Sequence, residues 1–175
     1  MRAIMIVFFI LLPFTAVAQD PATSADEPIR MEDPHGGAAV YIDARQKAAH
    51  DRWGFAGAYR AGDFVYLSGV VAGAWQGDPI NEEEFKETLR QTFNRADEVF
   101  EAAGADIEDV VEIISFHVWD SPLFDGDKIA HLRAVADVKR EFMSEPDPAW
   151  SAIGVSELLP DAGLVELRMV AYAPE

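Results

Sequence analysis

AGDFVYLSG, at residues 61–69, is the stretch that decides the fold. Two strand-like runs, FAGAYR at 55–60 and FVYLSGVV at 64–71, flank Ala61-Gly62-Asp63, a short glycine-containing connection of the kind that closes a β-hairpin. Downstream, Asn81 opens a helix. Glu84, three residues on, completes a capping-box-like pair, and Glu82 and Glu83 sit where the positive end of the helix dipole favours acids. Phe85, Leu89, Phe93, Ala96 and Phe100 recur at helical spacing and give one apolar face, which Gly104 ends. Val110 to Trp119 is β-branched and aromatic and reads as a buried strand. After a loop punctuated by Pro122 and Gly126, a second helix over about 128–143 places Ile129, Leu132, Ala136 and Phe142 toward one side, and Pro146 and Pro148 end it. Leu164 to Ala173 is the last strand.

Hairpin, helix, strand, helix, strand is an α+β order: a single domain in which two helices cover one face of a mixed sheet. The strands are apolar on both faces. Phe64 and Tyr66 alternate with Val65 and Leu67, and Leu167 and Met169 alternate with Glu166, Arg168 and Val170. The uncovered face is therefore expected to be buried by other copies of the chain.

Arg2 precedes an apolar run from Ala3 to Phe14 and then Ala16-Val17-Ala18, the pattern of a signal peptide over residues 1–18. A membrane anchor is the competing reading, but the run is shorter than the roughly 20 residues a spanning helix needs. The mature chain is expected to start at Gln19, in the periplasm or outside the cell, with no stable membrane association. QDPATSADEPIRMEDPHGG at 19–37 reads as a flexible lead-in, and the folded domain as residues 38–175. AVYID at 39–43 suits a short strand, while Arg45 to Arg52 is polar and undecided.

The chain has no cysteine, which excludes disulfides, thiolate nucleophiles and Cys-ligated metal. A formal charge of −17 repels polyanions, and no cluster of Lys and Arg offers a phosphate-binding surface, so nucleic acid is not an expected partner. His35, His50, His117 and His131 show no metal-ligand spacing, and Gly69, Gly73 and Gly77 match neither phosphate-loop nor dinucleotide patterns. No metal or cofactor is expected. His117 shares a strand face with Ile113, Ser115 and Trp119, where a satisfied core histidine is favoured over a proton-transfer role.

The ordered set from Trp53 to Tyr172 comprises AGDFVYLSG, a helix ending in EAAGA, DVVEIISFHVWD, a second helix and PAWSAIGVSELLPDAGLVELRMVAY. It resembles the Rid/YjgF family, the reactive intermediate deaminases. The resemblance implies a homotrimer with a central barrel and a small-molecule cleft at each subunit boundary. It also implies imine or enamine hydrolysis by an arginine that grips the substrate carboxylate, a glutamate near the attacking water, a serine in the SG turn and an upstream tyrosine. The serine falls on Ser68 and the glutamate on Glu166. The tyrosine position is Phe55, and the arginine position, after a Pro-Ala pair, is Trp150.

Indole offers one N–H and a large apolar face where guanidinium offers a charged fork of donors, so the carboxylate clamp of the family is missing at position 150. Trp150 reads as a stacking platform for a ligand or as interface filler. Arg168 lies two residues beyond Glu166 on the same strand face; it either enters the cleft or pairs with Glu166, which would lower the glutamate's pKa. Ser68 suits a turn cap as well as a site, and no general base stands beside it to make it a nucleophile. The resulting expectation is an exported trimer that hydrolyses an enamine or imine, its substrate choice altered by Trp150, or alternatively a non-catalytic trimer that binds a small ligand.

Overall fold

The computed structural model describes residues 27–174, so the leader expected over 1–18 and the start of the lead-in lie outside the described residues. Eight strands form one mixed sheet: β1 (Ile29–Asp33), β2 (Gly37–Tyr41), β3 (Ala58–Ala61), β4 (Phe64–Leu67), β5 (Val70–Gly73), β6 (Val110–His117), β7 (Ala149–Gly154) and β8 (Gly163–Tyr172). Their order is β1-β2-β3-β4-β8-β6-β7, with β5 also paired to β8. Among these described strands only β6 and β7 pair in parallel. The expected hairpin is β3–β4, which Gly62 closes at φ +56°. One continuous partner, β8, holds both halves of the next step: β4 pairs with its end and β5 with its beginning, leaving Ser68-Gly69 as the joint between them.

Three helices lie with this sheet rather than the two expected: α1 (Ala44–Asp51), α2 (Glu82–Ala102) and α3 (Lys128–Phe142). The polar, undecided stretch is α1. It buries no residue and is instead fixed at its start, where the Asp43 carboxylate accepts from Gln46 N at 2.5 Å and the Gln46 side chain accepts from Ile42 N at 2.8 Å. In α2 the Asn81–Glu84 capping box forms as expected. The phase of α3 differs from the expected one: His131, Ala134, Val135, Val138 and Lys139 are buried and Ile129 is 58% exposed. Ordered structure also begins earlier than Ala38. IRMED, placed in the flexible lead-in, is β1, held by its ladder to β2 rather than by a hydrophobic period.

The core lies between the sheet and the helices: Val65, Leu67, Ile113, Leu167 and Met169 pack with Phe85, Leu89, Phe93 and Phe100 of α2 and Val135 and Val138 of α3. Arg60, 4% exposed, ties the ends of two elements together by donating to the carbonyls of Ala103, Gly104 and Ala173. On the other face Phe64, Tyr66 and Tyr172 stand open, with the Phe64 and Tyr172 rings 5.2 Å apart. No helix among the described residues is long and apolar enough to cross a membrane.

Candidate functional site

The joint between β4 and β5 is pinned to the segment before β3. Ser68 N donates to the Gly57 carbonyl at 3.0 Å and Ser68 Oγ to the Ala56 carbonyl at 2.6 Å, so the hydroxyl has the turn-fixing role open to it from sequence. Phe55 belongs to the same end of the molecule, where its ring stacks on His50 of α1 at 4.3 Å. Gly69 follows, and the Glu166 side chain occupies the space beside it: a Cβ at position 69 would stand 1.7 Å from Glu166 Oε1. A side chain at position 69 would displace the Glu166 carboxylate from this place.

Glu166 is half-buried and makes no hydrogen bond or ion pair among the described residues. Burial raises its pKa. Of the two readings of Arg168, the pair with Glu166 is not formed; that guanidinium is 3.8 Å from Glu112 instead, and the lowering of the Glu166 pKa that such a pair would cause gives way to a rise. A carboxylate that is partly desolvated and unpaired is poised to exchange a proton.

A cleft of about 560 Å³ opens on the helix side of the same joint. Ser68, Gly69 and Val70 form one wall, Arg45, Gln46 and His50 of α1 another, and Arg95 and Val99 of α2 the third. Neither arginine belongs to the sequence pattern that marks Ser68 and Glu166. For Arg45 the signal would have been the capped α1, which polar composition concealed; Arg95 lies on α2, whose helical pattern does not mark it as a site residue.

Trp150 lies elsewhere. It stands opposite Ile113 in the β6–β7 register and so faces the helices, whereas Glu166 stands opposite Phe116 on the other face, across β6. Its indole N–H donates to Ser115 Oγ at 2.8 Å, and the same oxygen is 2.7 Å from His117 Nε2. His117 stacks on Trp119 at 4.1 Å and meets His131 of α3 edge-on at 5.2 Å. Burial lowers the pKa of His117 to about 3 and of His131 to about 4, so both rings are neutral near pH 7. His117 is the core histidine its strand position suggested. Within one chain, then, Ser68, Phe55 and Glu166 lie around the β4–β5 joint and Trp150 does not join them.

The profile described as Endoribonuclease L-PSP matches residues 46–173. The chain belongs to the Rid/YjgF family. The RutC family protein YjgH of Escherichia coli (strain K12) is 31% identical over 144 residues, covering 81% of this chain and 93% of that protein. The 2-iminobutanoate/2-iminopropanoate deaminase of Dermatophagoides farinae is 31% identical over 115 residues, covering 65% of this chain and 80% of that protein. Among solved structures, Rv2704 of Mycobacterium tuberculosis, a member of the YjgF/YER057c/UK114 family, superposes with a TM-score of 0.57 over 71% of this chain and 92% of that one, at 22% identity. That last likeness bears on the fold alone. It agrees with the α+β architecture read from the sequence.

Proposed function

We propose that this Rid/YjgF protein hydrolyses a small imine or enamine, with Glu166 as the proton-transfer group. The observation that carries the reading is the Glu166 carboxylate: half-buried, unpaired, raised in pKa, and set against a glycine that leaves it room. In the reaction Glu166 takes a proton from water as the water oxygen bonds to the imine carbon, and the proton passes to nitrogen. The carbinolamine then collapses to a carbonyl compound and ammonia. With the Ser68 N–H committed to the Gly57 carbonyl, the Gly69 N–H would be the backbone donor that polarises the substrate. The imine deaminase among the relatives supports this class of chemistry. The formal charge of −17 argues against RNA as the substrate.

The proposal includes assembly and location. The open face bearing Phe64, Tyr66 and Tyr172 suits burial by further copies in a homotrimer. Residues 1–18 are read as a cleaved leader, placing the mature protein in the periplasm or outside the cell. Amino-terminal sequencing of the protein recovered from its native host should begin at Gln19; retention of Met1 or of the apolar run would refute cleavage.

Ammonia release from 2-iminobutanoate generated in situ tests the chemistry. Glu166→Gln should lower turnover by roughly 10²- to 10⁴-fold with the melting temperature preserved. An unchanged rate would remove Glu166 from the mechanism. A second reading, ligand binding without turnover, is favoured by one observation: position 150 offers an inward-turned indole and no cation. Absence of turnover in the wild type on several imines, with retained ligand binding, would select it.

A further inference from the structure

The cleft on the helix side of the Ser68–Gly69 joint has a charge unlike the rest of the molecule. The chain carries −17, yet the charged side chains lining this cleft are Arg45, Arg95 and Asp43. Asp43 is committed as the cap of α1, through its bond to Gln46 N. Arg45 has no ion-pair partner among the described residues, and Arg95 has one, Glu98, reached by Nη1 at 2.9 Å. Two guanidinium groups facing one concave site focus a positive potential there and attract a small anion. His50 lines the same cleft; burial and then the Arg95 charge lower its pKa, which fits Arg95 lying on the α1 side of the cleft.

We infer that this cleft holds the carboxylate of the substrate, with Arg45 and Arg95 as its cations. The inference rests on the imine-hydrolysis reading for the identity of the substrate, and not for the existence of the anion site. Gly69 is the link. It lines the cleft, and Glu166 packs against it on the side where a Cβ would stand. A short 2-imino acid with its carboxylate between the arginines would lie against Gly69, the residue that stands between this cleft and Glu166. Guanidinium suits this task, since its planar fork binds carboxylate through two parallel hydrogen bonds. The cation supplied by α1 and α2 takes over the work that an arginine at position 150 would do. The cleft also has a volume appropriate to a small molecule, at about 560 Å³.

Calorimetric titration with 2-oxobutanoate, an unreactive carboxylate of the same skeleton, reads the site without turnover. Wild type should bind it and should not bind butanone at the same concentrations. Arg45→Gln and Arg95→Gln should each weaken binding roughly tenfold, and the double variant more. Arg140→Gln, which removes the same charge from the exposed end of α3, should not. Melting curves check that each variant is folded; the arginine stems are kept in glutamine only in part, but neither residue is buried. Failure of the wild type to bind 2-oxobutanoate, equal binding by the double variant, or binding that appears only in Trp150→Arg would each overturn the assignment. Arginine-dependent binding with no hydrolysis of any imine would leave the anion site standing and defeat the proposed reaction instead. Hydrolysis that is indifferent to both arginines would do the reverse.

Discussion

The two faces of the β6–β8 region treat their polar groups in opposite ways. Toward the helices, Ser115, His117 and His131 are buried and Trp150 is half-buried, and the Trp150 and His117 rings share Ser115 Oγ as a hydrogen-bond partner. On the other face Glu166 keeps an unpaired carboxylate and the apolar rings of Phe64, Tyr66 and Tyr172 remain open. Enclosure makes a polar side chain structural, because its proton has nowhere to go. A carboxylate left half-desolvated at an accessible joint has a cost with no structural return, which is the signature expected of a group kept for chemistry. Position 150, a candidate ligand wall from sequence, falls on the first kind of face within a single chain.

The largest expected effect breaks the comparison at its apolar groups. Phe85 is fully buried and contacts both Phe124 and His131, so Phe85→Ala should cost about 3–5 kcal/mol in chemical denaturation. Phe64 is 40% exposed, so Phe64→Ala in dilute, monomeric protein should cost less than about 1 kcal/mol. At higher concentration the second variant should instead weaken self-association, seen by sedimentation. Equal costs for the two variants under conditions where the protein sediments as a monomer would mean that the open face is buried within the chain.

A smaller effect is the dependence of stability on pH, which the two faces push in opposite directions. His117 and His131 titrate near 6.5 when unfolded and at about 3 and about 4 when folded. Between those values the unfolded chain binds more protons, so their contribution is complete above about pH 6.5 and is lost as pH falls, by up to about 1.4 kcal/mol per unit for each ring. Glu166 has a raised folded pKa, so its contribution has the other sign: it is present at low pH and lost as pH rises past the unfolded value. Denaturation midpoints at about pH 7, 6 and 5 should therefore fall on acidification in the wild type. His131→Leu should flatten that fall. It should leave neutral-pH stability intact or higher, since neither ring nitrogen of His131 has a hydrogen-bond partner. A steep acid loss that survives His131→Leu unchanged would assign the pH dependence to other groups.

Much of the fold was legible because it is written in periodic apolar residues: the β3–β4 hairpin, α2 with its capping box, and the strand from Val110. What was not legible rests on polar bonds between residues that share no period. Strand β1 depends on its ladder to β2, and α1 on Asp43 and Gln46 closing around its first turn. The phase of α3 was misread because its buried stripe contains His131 and Lys139, residues that a hydrophobic pattern assigns to solvent. At the site, the SG turn and Glu166 were visible as motif positions. Arg45 and Arg95 were not, since a cleft formed by two helices and the β4–β5 joint has no linear pattern. The expected Glu166–Arg168 pair followed from strand alternation, which fixes the face of a side chain and not its partner; Glu112, across on β6, sits nearer.

The smallest expected effect sharpens the comparison at Trp150 itself. Indole is a donor only, so Ser115 Oγ must accept from it, and the same oxygen also bonds His117. Trp150→Phe keeps most of the ring and removes that donor, at an expected cost of about 1 kcal/mol. Ser115→Ala costs more, because it leaves the indole N–H and His117 Nε2 both without a partner in a buried setting. Combining the two changes in a double-mutant cycle isolates the shared bond: a coupling of about 1 kcal/mol is expected between positions 115 and 150. Coupling near zero would mean that the indole N–H is not held inward in solution, and Trp150 would then be free to turn from the helix layer and serve as a ligand wall after all.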